Sequence, residues 1–223
     1  MRTSHMNLLV LATAVFAATA AHADVRITEV AAWSSGNSPV GADWFELTNT
    51  GTSAVSLAGW SMDDSSATPG SAAMAGIASL AAGESAIFIE GDGSQAAAFR
   101  TTWFGSNAPA GLQIGSYSGS GVGLSTGGDG VNVFDASNVN QASVSFGASP
   151  SGPFATFDNA AGVNGTISQL SVEGVNGAFA AAGDASEIGS PGALAAAVPE
   201  PASVALMLAG LGLVAASVGG RRR

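Results

Sequence analysis

The central part of the chain consists of short apolar runs, which are separated by turns of small and polar residues. Residues 142–146 show the pattern best, because the alternation places Ala142, Val144 and Phe146 on one face. Turn residues such as Asn49-Thr50-Gly51 separate the runs. The other predicted strands are residues 25–30, 43–49, 55–62, 85–90 and 130–135, with a last strand at 166–172. Many short strands with little helix predict an all-β sandwich or barrel.

One segment has a helical pattern instead. Residues 94–104 read Ser-Gln-Ala-Ala-Ala-Phe-Arg-Thr-Thr-Trp-Phe, in which Ser94 suits an N-cap and the following Gly105 a stop. Phe99 and Trp103 are four residues apart and therefore share one helical face. We predict a short crossover helix near residues 95–103, whose two aromatic rings pack over one end of the sandwich.

The N-terminus has the three parts of a secretory signal peptide. Arg2 precedes an apolar run at residues 8–21, and Ala21-His22-Ala23 is a small-x-small cleavage site. The alternative is a membrane-spanning helix, but about 14 apolar residues are short for a bilayer. We predict a signal peptide at residues 1–23 that directs Sec-type export and is cleaved after Ala23, so that the mature chain begins at Asp24.

The C-terminus combines a proline motif, an apolar segment and a basic end. Pro199-Glu200-Pro201 precedes an uncharged apolar stretch at residues 202–218, which predicts a transmembrane helix. Arg221, Arg222 and Arg223 follow it and favour the cytoplasmic side, which leaves the upstream chain outside. A permanent tail anchor is the alternative. The order of the three parts resembles the PEP-CTERM sorting signal of Gram-negative exported proteins. This resemblance implies transient insertion in the inner membrane and removal of the tail by an exosortase-type protease.

Composition excludes several kinds of reactive site. Cysteine and lysine are absent from the whole chain, and both histidines, His5 and His22, lie in the predicted signal peptide. The exported part therefore cannot build a Ser-His-Asp or Cys-His centre, a lysine Schiff base, or the usual Cys/His site for zinc or copper. Disulfides are equally impossible. We predict no catalytic residue, no cofactor-binding residue and no metal site.

Charge narrows the choice of partners. All sixteen acidic residues lie between Asp24 and Glu200, where only Arg26 and Arg100 oppose them. Such a surface repels phosphates and therefore argues against nucleic-acid binding. It suits one solvated, exported domain, which we place at residues 24–194.

The order of the strand-like runs resembles the lamin-tail domain. The specific pieces are Phe-Glu-Leu-x-Asn at residues 45–49 and Leu-x-Gly-Trp at residues 57–60. The further matching pieces are residues 27–30, 80–84, 86–90, 124–129 and 131–135. Together they cover most of residues 25–146. The resemblance implies an immunoglobulin-like β-sandwich that acts as an interaction module and has no catalytic residues to carry over.

Two carboxylates within strands nevertheless keep an enzyme open as an alternative. Glu29 and Glu46 could act as the acid and base of a carbohydrate hydrolase or lyase, which would need a cleft flanked by aromatics with carboxyls about 5–9.5 Å apart. We expect a structural role instead, in which both lie at the rim of the sheet and accept backbone or tryptophan N–H bonds. The leading hypothesis is a non-catalytic adhesive protein of the cell surface, the extracellular matrix or its exopolysaccharide.

Acidic loops and tryptophans are the remaining candidates for binding. Asp63-Asp64 and Gly91-Asp92-Gly93-Ser94 could bind Ca²⁺ through oxygen ligands and make a calcium-dependent module, although Asp in turns usually bonds its own backbone. Trp60 is expected in the core between the two sheets. Trp33 or Trp44 is the better candidate for an exposed contact.

Overall fold

The computed structural model describes residues 24–193, which form fifteen strands and two short helices. The helices are α1 (Ser34–Asn37) and α2 (Ala96–Phe104). The strands, in chain order, are β1 Val25–Ala31, β2 Trp44–Asn49, β3 Val55–Ser56, β4 Ser61–Asp63, β5 Ala72–Ala75, β6 Ser79–Leu80, β7 Ser85–Glu90, β8 Gln113–Ser118, β9 Asp129–Phe134, β10 Asn140–Phe146, β11 Phe154–Ala155, β12 Phe157–Asp158, β13 Gly165–Ile167, β14 Phe179–Ala180 and β15 Glu187–Gly189.

Ten strands form one continuous sheet that folds over on itself. Their order is β12-β1-β2-β7-β8-β5-β4-β9-β10-β13, and β1 packs against β10 across the interior. The first five strands therefore make one layer of a sandwich and the last five the other. Most pairs are antiparallel, while β7 with β8 and β10 with β13 run parallel. This is the predicted all-β, immunoglobulin-like sandwich.

The main core fills the space between the two layers. Alternate side chains of β2 and β7 enter it, including Phe45 and Phe88, whose rings stack with centroids 5.6 Å apart. Trp60 belongs to this core, as expected from the sequence, and only 7% of its surface is exposed.

A second core covers the outer face of the first layer. The other side chains of β2 and β7, Trp44, Ile87 and Ile89, pack there against Phe99 and Trp103 of α2. Trp44 meets both rings edge-on, at centroid distances of 5.3 and 5.5 Å. The aromatic pair thus packs as predicted, but on a face of the sheet and not over one end of the sandwich.

Helix α2 is the predicted crossover. It connects β7 to its parallel neighbour β8, and a parallel pair requires such a connection. The N-cap position is Gln95, without a side-chain capping bond, so the expected capping role of Ser94 is wrong. Gly105 ends the helix as predicted, with φ +58 and its N–H bonded to the carbonyl of Thr101.

Two predicted strands differ from the observed ones. The run at residues 55–62 is split by a turn with Gly59 at φ +77, so β3 pairs with β6 in a separate sheet while β4 joins the main sheet. The run at residues 166–172 keeps only β13, because Leu170 instead bridges to Phe157. It is not the last strand, since β14 and β15 follow.

These last strands belong to a small three-stranded sheet, ordered β11-β15-β14, that closes the second core. Phe154 and Phe179 from this sheet pack against that core. We call residues 187–193, which comprise β15 and the chain after it, the C-terminal strap. The strap is largely buried, and it is the end of the described chain.

Candidate functional site

A β-bulge in β1 brings two carboxylates side by side. Ile27 pairs with Leu47, but the next pair is Glu29 with Glu46, so Thr28 is an extra residue in β1. The bulge changes which residues face inward. Val25 and Ile27 enter the main core before it and Val30 enters after it, while Glu29 points outward next to Glu46.

Each carboxylate of this pair accepts one side-chain and one backbone hydrogen bond. Oε1 of Glu29 accepts from Oγ1 of Thr156 at 2.5 Å and from N of Ser190 at 2.7 Å. Glu46 accepts from Oγ1 of Thr28 at 2.6 Å through Oε1 and from N of Gly192 at 2.6 Å through Oε2. Both backbone donors belong to the C-terminal strap. The pair therefore fastens the strap to the sandwich.

Burial dominates the electrostatics of the pair. Glu29 is 0% and Glu46 2% exposed, so the expected position at the rim of the sheet is wrong, although the expected backbone bonds are present. Burial, and then the charge of Glu46, raise the pKa of Glu29 well above its ordinary value. Burial also raises the pKa of Glu46, against the hydrogen bonds from Thr28 and Gly192. The pair therefore remains partly protonated at a higher pH than exposed carboxyls do.

Two more carboxyls are buried around the second core. Burial raises the pKa of Glu187 to about 7, and the nearby Ser38 hydroxyl opposes this rise. Burial also raises the pKa of Asp43 to about 6, although its Oδ1 accepts the N–H of Ser35 at 2.8 Å. The burial of Glu29 and Glu46 leaves a glycoside without access to the pair, and this argues against the enzyme alternative.

The tryptophans are all buried. Trp33 is 1% exposed and donates its Nε1 hydrogen to the carbonyl of Ala155 at 3.0 Å. Trp44 and Trp103 are fully buried in the second core. The expectation of an exposed Trp33 or Trp44 is wrong, because the second core covers the face that alternation assigned to solvent. Trp60 is the most exposed of the four.

Trp60 is one of the residues that line an open surface groove of about 400 Å³, which we call the Trp60 groove. Its wall has an apolar part and a polar part. The lining residues are Val25, Val55, Ser56, Ala58, Trp60, Asp135, Ala136, Ser137 and Gln141. Oδ2 of Asp135 accepts the Nε2 hydrogen of Gln141 at 2.7 Å, and Oδ1 accepts the N–H of Ser137 at 2.8 Å. Backbone hydrogen bonds, that of Val139 first, hold the pKa of Asp135 below its ordinary value. The polar wall is thus fixed and ionised.

The acidic loops use their carboxylates locally. Oδ2 of Asp63 accepts hydrogen bonds from Oγ of Ser66 at 2.5 Å and from N of Thr68 at 2.6 Å. Oδ1 of Asp92 accepts N of Ser94 at 3.0 Å. Between residues 24 and 193, no three His, Cys, Asp or Glu side chains are grouped so that they could hold a metal ion. The local bonds favour turn formation over calcium ligation.

The residues of the two processing signals lie outside the described range, except for Asp24. This applies to the cleavage-site residues Ala21 and Ala23, to Pro199-Glu200-Pro201, to the predicted helix at 202–218 and to the terminal arginines. Asp24 forms an ion pair with Arg26 at 2.6 Å. Within residues 24–193, neither helix is long and apolar enough to cross a membrane.

Sequence reasoning missed the partners that complete both sites. Thr156, Ser190 and Gly192 have no local signal, because they lie more than 120 positions away from the carboxylates that they bind. The sequence does contain a signal for the polar wall of the groove. Asp135 begins a tight turn in which Asn138 has φ +63, a conformation that favours Asn or Gly, and this turn carries Gln141 back to Asp135.

Comparison with known proteins agrees with both resemblances. The family model for the PEP-CTERM protein-sorting motif matches residues 197–223, so the protein is an exported one that carries the signal read by an exosortase. No curated protein matches the chain. The family model for the Lamin Tail Domain matches residues 18–148, which is more than half of the chain and includes every strand from β1 to β10. The chain therefore belongs to the lamin-tail domain family.

Proposed function

We propose that the mature protein is a non-catalytic interaction protein of the cell surface or extracellular matrix, and that it binds neutral polysaccharide in the Trp60 groove. Export would begin with cleavage after Ala23, which leaves Asp24 as the N-terminus. An exosortase-type protease in the inner membrane would then read Pro199-Glu200-Pro201 and remove the helix at 202–218 with its arginines. The domain at residues 24–194 would remain as the functional unit.

The absence of a suitable reactive centre supports a non-catalytic role. The exported part has no histidine, cysteine or lysine, which leaves carboxylates as the common acid, base or nucleophile. Glu29 and Glu46, whose pKa values burial raises, are buried and bonded to the C-terminal strap. Their role in the fold is accounted for without any substrate.

The shape and chemistry of the Trp60 groove carry the choice of ligand. The groove is open to solvent, so an internal segment of a polymer can enter it. Asp135 and Gln141 contribute planar hydrogen-bonding groups to a groove that the apolar residues Ala58 and Val55 also line, and sugars present hydroxyls and C–H faces to such a wall. Sixteen acidic residues against Arg26 and Arg100 repel a polyanion. A neutral polysaccharide therefore fits better than an acidic one.

A pair of glutamine substitutions tests this proposal. In Gln141→Ala, the groove loses an amide, and the affinity of the purified mature protein for neutral exopolysaccharide from the host should fall by up to about tenfold. Gln113→Ala is the matched control, because Nε2 of Gln113 also donates to a carboxylate, that of Glu84, at 2.7 Å, but away from the groove. Titration of both variants gives the comparison. Equal affinities in both would refute binding at the groove.

A further inference from the structure

The C-terminal strap connects the folded domain to the sorting signal. Its last hydrogen bond to the sandwich is the one from Gly192 to Glu46. Only the residues from 193 to 198 separate this anchor from Pro199. A docked strap therefore sets an upper limit on the distance between the motif and the domain.

The strap is closely fitted where it passes the carboxylates. A Cβ on Gly189 would lie 2.6 Å from Oε1 of Glu29 and 2.8 Å from Cη2 of Trp103, so only glycine allows this approach. Gly192 has φ +73, and a Cβ there would lie 2.8 Å from Cδ1 of Leu112. The backbone of Thr156 also donates to the carbonyl of Ile188 at 2.9 Å. The docked position is thus a specific one.

We propose that Glu29 and Glu46 are positioning residues for the sorting reaction: by docking the C-terminal strap they keep the domain on a short tether to Pro199-Glu200-Pro201, and this slows the protease. The inference rests on the proposed function, in which the motif is processed. Docking of the strap would control the processing rate in addition to the motif itself.

The tether is the chain between Gly192 and Pro199, and the number of residues shows how much undocking lengthens it. From Gly192 to Pro199 the extended chain reaches at most about 25 Å. A domain of this length has a radius of gyration of about 15 Å, so its diameter exceeds the tether. If the strap undocks back to residue 184, eight more residues add about 27 Å. Docking therefore limits the domain to a short distance from the motif, and undocking allows a separation about twice as large.

Docking can hinder the reaction but cannot assist delivery of the motif. The predicted helix at 202–218 begins directly after Pro201 and brings the motif to the membrane in either state. When the strap is docked, the domain stays close to the protease and obstructs its access to the motif. Because the docked form is the more slowly processed one, the processing rate should rise with the undocked fraction.

Four variants test the proposal in a host that has the sorting enzyme. Glu46→Ala removes the acceptor for Gly192, whereas Glu46→Gln keeps an oxygen acceptor and serves as the conservative rescue. Gly192→Ala loosens the strap from its own side, through φ +73 and the contact with Leu112. Gly174→Ala is its matched control, since Gly174 has φ +82 but open space around a Cβ.

The first readout is amide hydrogen exchange of Gly192 in the purified mature protein. Loss of the hydrogen bond to Glu46 should speed this exchange by up to about tenfold in Glu46→Ala and Gly192→Ala, while amides of β9 and β10 keep wild-type rates. Glu46→Gln and Gly174→Ala should resemble the wild type. Fast exchange of Gly192 in the wild type, or no change in either loosened variant, would overturn the docking.

The second readout is pulse–chase conversion of the precursor to the mature form. Conversion should accelerate in the two loosened variants by up to the same factor as the exchange, with Glu46→Gln and Gly174→Ala unchanged. If the loosened variants exchange faster but are converted at the wild-type rate, only the positioning role is refuted. A complete lack of conversion in the wild type would instead refute the proposed processing.

Discussion

Glu29 on β1 lies directly opposite Glu46 on β2, and each accepts a hydrogen bond from the backbone of the same C-terminal strap. The family match ends at residue 148, so the strap lies outside the matched residues. Burying two neighbouring carboxylates is costly unless they are protonated or bonded. The strap supplies bonds that offset this cost, and the cost in turn makes the docked state sensitive to pH.

The stability of the mature protein should fall as the pH rises from about 5 toward 8. Burial raises the pKa of Glu29, Glu46 and Glu187 above the ordinary 4.5, so in this window the folded state binds more protons than the unfolded state. The free energy of unfolding then decreases by up to about 1.4 kcal/mol per pH unit for each group. Carboxyls with a lowered pKa, such as Asp63 and Asp135, change the free energy of unfolding only at pH values below this range. Urea unfolding at pH 5, 6, 7 and 8 measures the slope.

Glu29→Gln should reduce that slope and stabilise the protein at pH 8. The amide oxygen can still accept from Thr156 and Ser190, while the group no longer has to lose a proton in a buried site. We expect a gain on the order of 1 kcal/mol at pH 8 and little change at pH 5. Glu173→Gln on the exposed surface is the control. An unchanged slope in Glu29→Gln would mean that Glu29 does not titrate in this window.

Substitution of Trp60 by Ala should cost about 3–5 kcal/mol, because the side chain is 7% exposed and belongs to the main core. Val139→Ala is the control, since Val139 is 54% exposed and should change the free energy of unfolding by less than about 0.5 kcal/mol. Denaturant unfolding compares the two variants. A loss below about 1 kcal/mol for Trp60→Ala would contradict its place in the core.

The main core was predictable because one face of each strand alternates in the sequence. Phe45 and Leu47 face inward, as the pattern requires, and the strand β7 has its predicted bounds. The second core was missed, although β7 contains the run Ala86-Ile87-Phe88-Ile89, which is apolar at every position. Such a run indicates a strand that is buried on both faces.

The carboxylate site could not be predicted from local patterns. Alternation alone places Glu29 on the same face as Ile27, and only the bulge at Thr28 turns it outward toward Glu46. Nothing in the sequence around residue 29 indicates a bulge. The covering residues come from the far end of the chain, where Ser190 follows Glu29 by 161 positions.

Gly115→Ala should destabilise the domain by about 1–3 kcal/mol. A Cβ at this position of β8 would lie 2.5 Å from the carbonyl oxygen of Ala75 and 2.8 Å from Cε1 of Phe88, so the backbone of β5 would have to move. Gly147→Ala is the matched control, because a Cβ there meets nothing within 4 Å. Thermal unfolding of both variants measures the difference. Equal melting temperatures would show that β8 and β5 are not as close as described.

Glu200→Ala should block removal of the C-terminal tail, if a protease reads Pro199-Glu200-Pro201. The substitution changes neither the apolar length of residues 202–218 nor the terminal arginines, so membrane insertion should be as favourable as before. The variant should therefore accumulate in the inner membrane as a form larger by roughly two dozen residues. A permanent anchor would give the same size and location for both proteins.

A blot of membrane and medium fractions, in a host with and without its sorting enzyme, distinguishes these outcomes. Glu173→Ala is the control for loss of one carboxylate, since Glu173 is exposed on the folded domain and should be processed normally. Gly210 and Gly212 within the apolar segment weaken it as a helix, which favours a segment that is removed over one that is kept. Identical sizes and fractions for wild type and Glu200→Ala would refute sorting and support a plain tail anchor.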